Sequence, residues 1–423
     1  MRRLYTLLLY LALPVASLVV FARGLSEREY WRGWRSRFGF GGSRPGQGIW
    51  VHAASVGEVQ AAAVLIGALR ERRPALEVAL SCVTPTGRAR ARALLPGIDV
   101  RYAPYDLPGC VRRCLARLRP RLLILIETEL WPNLLHEARR AGVPTLIASA
   151  RVSARSARLY RRLPGLLRPA LVANVWVAAQ SEADAQRFLA LGAAAQRLSV
   201  VGNIKFDRAP AADAAQRGAT WRAHYAAGRP VWVAGSTHAA EEPIVLEAHR
   251  ELRRRLPSAL LILAPRHPQR FDAAATAVAA QGLRAVRRSG GAADEDYEVL
   301  LLDTLGELAE FYAAADVAFV GGSLLPVGGH NLLEPAALGM PVLSGPQQFN
   351  SPDIARVLSE QGALRIVRDA AELAAAAEGL LRDAAARARA GAAARRVIEA
   401  NRGALERLLR LIDALLPAAG VAG

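Results

Sequence analysis

The chain has 423 residues, 52% of them hydrophobic, which excludes a disordered basic tail and favours two domains of ordinary size. Its formal net charge of +18 is spread along the chain and suggests nucleic acid, an anionic membrane surface or an acidic substrate as partner. No zinc-finger spacing and no aromatic–basic RNA-binding signature occurs in the sequence, so nucleic acid is the weakest of the three.

The first forty residues predict a membrane anchor. Residues 5–22 form an uncharged stretch of eighteen residues, near the lower limit for a membrane-spanning helix. Two arginines precede it and five follow, and the five are interleaved with aromatic residues. This excess of positive charge after the stretch favours a cytoplasmic location for the rest of the chain and opposes export. We therefore predict an anchor over residues 1–24. A buried helix of the first domain is the alternative, and Pro14 also allows an in-plane or kinked insertion.

Short apolar runs alternate with helical patterns from residue 48 onward. The first series lies at residues 49–53, 78–82, 100–103, 122–126, 145–148, 175–178 and 198–201. Residues 207–220 look like a linker, and a second series follows at 231–235, 259–264, 299–302, 317–320 and 341–343. Continuous apolar strands separated by helices predict two α/β domains, 25–208 and 209–423, each with a doubly wound parallel sheet. The last amphipathic pattern, 404–416, is a helix that could pack on the first domain. The three cysteines indicate reduced thiols.

Lys205 is the only lysine among the 55 strongly basic residues. A lysine is a compact point charge on a thin stem, whereas an arginine is a planar fork, so a position that keeps lysine in an arginine-rich chain suggests a need for an ammonium group. Lys205 follows an apolar strand that breaks at Gly202, where open α/β sheets present ligand-binding groups. Survival of one surface lysine by chance is the alternative.

Three glutamates follow strands of the first series. Glu58 falls in the first turn of a helix, where it is placed to take a proton, although the helix dipole alone also favours a carboxylate there. Glu127 and Glu129 come directly after a buried strand. Strand alternation puts these two on one side, and carboxylates at a strand end are costly unless they cap, pair or act.

Turn segments follow four strands of the second series, and together they predict a nucleotide site. They lie at residues 234–238, 264–268, 303–307 and 321–335. Arg266 could clamp a phosphate, and Gly306 allows a ligand to approach closely. The glycines at 321–322 and 328–329 would free amides for a phosphate, and Glu334 could hold ribose hydroxyls.

Taken together, these motifs resemble the Kdo transferases, which move 3-deoxy-D-manno-octulosonic acid from its CMP-activated form onto lipid A precursor (lipid IVA). The resemblance rests on the segments 53–58, 84–87, 127–133, 150–156, 205–207, 265–268 and 328–335 and covers nearly the whole chain. It implies two facing Rossmann-like domains (the GT-B fold), no cofactor and no catalytic metal. It also implies an inverting transfer in lipopolysaccharide core biosynthesis at the cytoplasmic face of the inner membrane.

The family's functional residues carry over onto this sequence. The resemblance implies that Glu58 is the general base and that Glu127 and Lys205 support the transition state. It implies CMP contacts at Pro265, Arg266, Leu305, Gly306, Glu307, Asn331, Leu332, Leu333 and Glu334. Leu332 stands where many relatives have proline.

Two other functions remain open. A GT-B lipid glycosyltransferase that uses a UDP-sugar would share the fold and the phosphate loops. A non-enzymatic, membrane-tethered nucleotide- or nucleic-acid-binding protein would explain the charge and the glycines. It would not explain Glu127 and Glu129 together with Glu58.

Overall fold

The computed structural model describes residues 1–41, 48–208, 211–226, 228–291 and 296–416. The chain divides into two units, the first made of Met1–Arg208 and Asn401–Gly423 and the second of Ala209–Ala400. Each unit contains one seven-stranded parallel sheet. The predicted α/β fold class is confirmed.

The sheet of the first unit has the strand order β3-β2-β1-β4-β5-β6-β7. Its central strands are mostly apolar because helices cover both faces, and every side chain of β4 is fully buried. The strands are β1 Ile49–His52, β2 Val78–Cys82, β3 Asp99–Tyr102, β4 Leu122–Ile126, β5 Thr145–Ala150, β6 Val175–Ala179 and β7 Leu198–Val200. All strands run parallel, and successive strands are added on one side of β1 up to β3 and on its other side from β4 onward, so the topological switch point lies between β1 and β4.

Helices α2 to α8 of the first unit begin at serine or threonine caps or with proline in the first turn. Ser55, Thr84, Ser153 and Ser181 accept a hydrogen bond from the backbone three residues on, as good N-cap residues do. The helices are α1 Arg2–Ser26, α2 Val56–Arg72, α3 Pro85–Leu94, α4 Pro108–Leu118, α5 Pro132–Arg140, α6 Ala154–Arg161, α7 Pro164–Asn174 and α8 Glu182–Ala190. By length and composition, α1 is apolar enough to cross a membrane.

The second unit repeats the same winding, with the order β10-β11-β9-β8-β12-β13-β14 and the switch point between β8 and β12. Its strands are β8 Val231–Thr237, β9 Leu260–Pro265, β10 Ala285–Arg287, β11 Val299–Leu301, β12 Val317–Val320, β13 Val342–Ser344 and β14 Leu364–Ile366. Its helices are α9 Ala214–Ala226, α10 Glu242–Arg255, α11 Phe271–Ala280, α12 Leu308–Ala314, α13 Leu333–Ala337, α14 Pro352–Glu360, α15 Ala370–Arg382 and α16 Ala384–Asn401.

The predicted linker over residues 207–220 is wrong over its second half. Helix α9 begins at Ala214, because Ala214 and Gly218 are buried and Arg217 pairs with Glu310 of α12 at 3.0 Å. Trp221, further along α9, stacks on Phe311. A sequence rich in alanine and polar residues therefore forms a packed helix here.

The predicted second domain ran to residue 423, but the second unit ends at Ala400. The final helix, α17 Ala404–Leu415, packs in the first unit. The carboxylate of Asp207 accepts the backbone N–H groups of Gly403 (2.6 Å) and Leu405 (2.8 Å) at its start. Its apolar face, with Leu408 and Ile412 fully buried, joins the core formed by β1, β4 and α2.

Candidate active site

Glu58 stands in the first turn of α2, directly after β1. Its Oε2 accepts the N–H of Ala54 at 2.7 Å, and its Oε1 accepts the hydroxyl of Ser55 at 3.0 Å. Ser55 in turn caps the helix through the N–H of Glu58, so cap and carboxylate hold each other in place. The carboxylate is half-buried at the carboxyl end of the sheet.

Glu127 and Lys205 form an ion pair beside that helix start. Lys205 Nζ lies 2.6 Å from Glu127 Oε1, and Arg151 Nε lies 3.0 Å from Glu127 Oε2. The Lys205 ammonium also lies next to Gly57, 3.9 Å from the position a Cβ would take there. The structure therefore brings together the three predicted residues Glu58, Glu127 and Lys205. Arg151, which lies in the motif at residues 150–156, is an additional partner of Glu127 that the sequence did not predict.

The backbone of Glu127 is in the left-handed region, with φ +62°. A non-glycine residue in that region costs about 1–3 kcal/mol, and such strain clusters at functional sites. Strand β4 ends at Ile126, directly before this turn. The alternation of side chains along a strand therefore does not determine on which side Glu127 and Glu129 lie. Ser149, at φ +53°, accepts the N–H of Ile204 and so positions the 3₁₀ turn that carries Lys205.

Glu129 lies beside the buried hydrogen-bonded side chains of Trp50, Ser81 and His52, a cluster that the sequence did not predict. Trp131 Nε1 donates to Glu129 Oε2 at 2.6 Å, and His52 Nε2 lies 3.5 Å from the same oxygen. Ser81 Oγ accepts the Nε1–H of Trp50 and lies 2.9 Å from His52 Nδ1 and 3.5 Å from Val51 O.

The carboxylates of Glu127 and Glu129 affect the ionisation of Glu58. The pKa of Glu58 is raised to about 7, first by burial and then by the negative charges of Glu129 and Glu127. A carboxyl group with a pKa near neutrality is suited to proton transfer at physiological pH, because neither protonation state dominates. At this point in the first unit the chain can therefore accept a proton next to a fixed ammonium group.

In the second unit, the predicted residues Pro265 and Arg266 lie at the carboxyl end of β9. The Arg266 N–H donates to Thr237 O at 2.9 Å, which fixes the turn, and its side chain is exposed. Near it, His238 and His330 share a hydrogen bond between their Nε2 atoms at 2.8 Å. Burial and neighbouring cations, Arg266 among them, lower the pKa of both, that of His330 to about 4. Both rings are therefore neutral at physiological pH and in opposite tautomers.

The predicted residues Leu305, Gly306 and Glu307 form an exposed turn after β11. Leu305 is 73% exposed and Gly306 has a φ of +92°. Glu307 pairs with Arg288 at 2.9 Å and accepts the hydroxyl of Thr304. This turn shares the carboxyl edge of the sheet with Arg266.

The predicted residues Asn331, Leu332, Leu333 and Glu334 begin α13. Asn331 caps the turn by accepting the N–H of Leu333 at 3.1 Å, and its amide donates to Glu334 Oε1 at 3.2 Å. Leu332 and Leu333 are buried and secure the turn to the core. Glu334 lies close to the buried Tyr312 and contributes, after burial, to the raised pKa of that phenol.

The predicted phosphate amides at 321–323 are already occupied. The fully buried carboxylate of Glu241 accepts the N–H groups of Gly322 (2.7 Å), Ser323 (3.0 Å) and Leu324 (2.9 Å). The prediction that these glycines free their amides for a phosphate is therefore wrong. The Glu241 carboxylate binds where an external anion would otherwise bind, and it fixes the loop at the switch point of the second sheet. Nothing in the sequence near Glu241 signalled this long-range contact.

Replacing Glu241 with alanine should destabilise the second unit strongly. The change leaves three buried N–H groups without an acceptor, and each costs about 1–3 kcal/mol. We expect thermal unfolding to shift downward by several degrees, measured by calorimetry on the full chain. Glu247, exposed on the same helix, gives the matched control Glu247→Ala, which should leave the transition unchanged. An unchanged transition in Glu241→Ala would contradict the structural role.

Within the described ranges, no group of three or more His, Cys, Asp or Glu side chains is arranged to hold a metal ion. The strong charges around Glu58 come from Lys205 and Arg151 of this chain. The family resemblance implies that the reaction needs no metal, and this remains a prediction.

Comparisons with known proteins identify the class and then the family. The fold matches a putative UDP-N-acetylglucosamine 2-epimerase from Listeria monocytogenes with a TM-score of 0.58, at 13% identity and over 88% of this chain and 97% of that one. The family model described as 3-Deoxy-D-manno-octulosonic-acid transferase (kdotransferase) matches residues 32–208. Two units, each with a doubly wound parallel sheet, form the GT-B fold.

Two relatives specify the family. The chain is 39% identical over 421 residues to the 3-deoxy-D-manno-octulosonic acid transferase of Haemophilus influenzae, covering 98% of this chain and 99% of that protein. It is 41% identical over 428 residues to the transferase of the same name from Bordetella pertussis, covering 97% and 99%. The chain belongs to the 3-deoxy-D-manno-octulosonic acid (Kdo) transferase family, which confirms the predicted resemblance.

Proposed function

We propose that this chain transfers Kdo from CMP-Kdo to lipid A precursor (lipid IVA), with inversion at the anomeric carbon and without a catalytic metal. The observation that carries the proposal is the convergence of Glu58, Glu127 and Lys205 at the switch point of the first sheet. A base of suitable pKa and a fixed ammonium group meet the two needs of a single displacement on an activated sugar.

Glu58 acts as the general base on the acceptor hydroxyl. That hydroxyl has a high pKa, so its proton leaves only as the new bond to the sugar forms. The Glu58 carboxylate is held from both sides by Ala54 and Ser55, which fixes its orientation before the substrate arrives. Such preorganisation reduces the cost of reaching the transition state.

Lys205 stabilises the negative charge that develops as the bond to CMP breaks. Glu127 fixes the Lys205 ammonium through one carboxylate oxygen and pairs with Arg151 through the other oxygen. The result is a net positive charge at a fixed point, and fixed charge is effective because it needs no reorganisation during the reaction.

The second unit binds the nucleotide of CMP-Kdo. Arg266 offers an exposed guanidinium to the phosphate, and Glu334 offers a carboxylate to ribose hydroxyls. The turn of Leu305 to Glu307 and the buried pair Leu332 and Leu333 shape the same carboxyl edge.

The rate should fall as the pH drops below about 7, because protonated Glu58 cannot take a proton. In Glu129→Gln a neighbouring negative charge is lost, so the pKa of Glu58 decreases and the acid limb of the kcat/KM profile moves to lower pH. The matched control is Glu71→Gln, an exposed carboxylate on α2. An acid limb that stays in place in Glu129→Gln, or moves equally in Glu71→Gln, would contradict the electrostatic coupling.

The reaction takes place at the cytoplasmic face of the inner membrane, where α1 keeps the enzyme beside its lipid acceptor. Helix α1 is apolar and long, and exposed arginines and aromatic side chains follow it, an arrangement suited to an anionic lipid surface. The predicted anchor over residues 1–24 corresponds closely to this helix.

Purified full chain, lipid acceptor and either CMP-Kdo or a series of UDP-sugars provide the test. We expect mass spectrometry to detect Kdo-bearing product with CMP-Kdo alone. Product formed from a UDP-sugar and none from CMP-Kdo would overturn the donor assignment. Failure of every donor to turn over would favour a nucleotide-binding protein without this activity.

A further inference from the structure

We propose that α1 lies in the plane of the membrane surface and does not cross the bilayer. The inference rests on the membrane location in the proposed function, and it concerns the orientation of the helix. It starts from the observation that both ends of α1 are held by the same folded unit.

The N-terminal end is held by hydrogen bonds from its first two turns. Arg2 Nη1 and Thr6 Oγ1 both donate to Asn133 Oδ1, at 3.1 and 3.0 Å. The hydroxyl of Tyr5 donates to Asp106 Oδ2 at 2.9 Å. The side chain of Met1 lies beside Gly165 at the start of α7.

The receiving groups are fixed parts of the first unit. Asp106 accepts the N–H groups of Asn133 (3.1 Å) and Leu134 (2.7 Å) and so caps α5, while the Asn133 amide donates to Asp106 O at 2.6 Å. These residues directly follow the segment that carries Glu129 and Trp131. The start of α1 is therefore joined to the structure that borders the candidate active site.

The C-terminal end of α1 is held by the chain that follows it. Trp31 Nε1 donates to Phe21 O at 3.1 Å and its ring packs on Phe21. The next turns are bonded to the unit, since Tyr102 donates to Glu29 O at 2.9 Å and Arg88 donates to Arg32 O at 3.0 Å.

These contacts are incompatible with a spanning helix. Twenty-five residues of α-helix extend about 37 Å, and the hydrocarbon core of a bilayer is about 30 Å thick. If α1 crossed the membrane, Arg2 would lie on the opposite side from Asp106 and Asn133. One folded unit cannot bond both ends of a helix from one side of a bilayer that the helix crosses.

The free face of α1 is apolar along its whole length. Leu4, Leu8, Leu11, Val15 and Leu18 recur at intervals of three and four residues and are 55–67% exposed. The other face carries the half-buried Arg2, Tyr5 and Thr6. One continuous apolar stripe is typical of a helix that lies at the boundary of headgroups and acyl chains.

Charge and aromatic residues beside both ends identify the occupant of that face as an anionic lipid bilayer. Helix α6 contributes three exposed arginines and a fourth follows it, and across the described ranges none of the four has an acidic partner: Arg155, Arg158, Arg161 and Arg162. Gly165, four residues after Arg161, lies against the side chain of Met1, which places these arginines near the start of α1. Beside its other end, Trp31 and Trp34 are 37% and 53% exposed. Basic and aromatic side chains at both ends fit the headgroup level.

Thiol labelling of the full chain distinguishes the two orientations. The three native cysteines are buried, so a cysteine at exposed Arg3 can be labelled selectively. In inverted inner-membrane vesicles, whose cytoplasmic face is outward, a membrane-impermeant maleimide should label Arg3→Cys without detergent. The control Ala75→Cys, exposed after α2, should react to the same extent. Labelling of Arg3→Cys only after detergent would overturn the in-plane orientation.

Spin labels on the apolar face give a second measurement. Nitroxides at Leu4→Cys, Leu11→Cys and Leu18→Cys should report the same shallow depth, because all three positions lie on one in-plane stripe. A much deeper Leu11 label would mean that the helix spans the bilayer. Disulfide-linked dimers of Leu11→Cys without lipid contact would mean that a second copy covers the stripe, and a chain absent from the membranes would exclude lipid as occupant.

Transfer to detergent-dispersed acceptor, measured on the same Arg3→Cys chain, separates this inference from the proposed function. If Kdo is transferred from CMP-Kdo but Arg3→Cys is labelled only after detergent, the in-plane orientation is wrong and the proposed function is retained. Labelling without detergent together with no transfer from CMP-Kdo defeats the proposed function alone.

Discussion

Glu58→Gln is expected to abolish transfer while CMP binding stays nearly intact. Loss of a general base typically costs about 10²–10⁴-fold in rate, and a glutamine amide cannot accept the acceptor's proton. The CMP contacts proposed above lie in the second unit, whereas Glu58 lies in the first. Initial rates and calorimetric titration with CMP measure the two effects on the same preparation.

The structure also provides controls for this change. In Glu58→Gln the amide oxygen can still accept the Ser55 hydroxyl, and Ser55 Oγ still accepts the backbone N–H, so helix α2 and the unfolding temperature should be preserved. Glu71→Gln on the same helix should leave the rate unchanged. If CMP affinity fell in parallel with activity, Glu58 would have a structural role.

Lys205→Arg should lower kcat strongly although it preserves the charge. The ammonium fits between Glu127 Oε1 at 2.6 Å and the helix start at Gly57, and Arg151 already occupies the other oxygen of Glu127. A guanidinium is planar and larger, so its charge cannot lie at the same point. One lost charge stabiliser at a preorganised site is worth about 3 kcal/mol, or roughly 10²-fold in rate.

Lys205→Arg is measured as kcat with saturating donor and acceptor, together with the thermal unfolding transition. Arg92→Lys, an exposed basic position on α3, serves as the matched control and should be silent. Near wild-type turnover in Lys205→Arg would mean that the single lysine of this arginine-rich chain is a chance survivor. It would leave the family membership intact.

Most of the fold could be predicted from the sequence because the central strands are buried on both faces. Their apolar runs are continuous, as in β4, and need no long-range information. The strands β10 and β14 were not predicted. They are three-residue edge strands, and their sequences alternate with exposed arginines such as Arg287 and Arg365. Edge strands of this kind are short and charged, so they carry little hydrophobic signal.

The clusters were predictable in part. Residues at the carboxyl ends of neighbouring strands meet in a doubly wound sheet, so Glu58 after β1 and Glu127 after β4 are expected to lie close together. Lys205 follows the edge strand β7, and only the family resemblance grouped it with them. Arg151, His52 and Glu241 were missed because their roles depend on partners far along the chain. Glu241 shows the difficulty most clearly: its carboxylate fills amides more than eighty residues away, and a glycine-rich turn looks the same in sequence whether its amides are open or filled.

The anomeric configuration of the product tests the central claim most directly, namely that the Glu58 cluster carries out one displacement on CMP-activated Kdo. Wild-type chain, CMP-Kdo and lipid acceptor are incubated, and the new glycosidic linkage is determined by NMR spectroscopy. A general base with no covalent intermediate predicts a configuration opposite to that of the donor sugar. A product that retains the donor's configuration would require two displacements and would contradict the role given to Glu58.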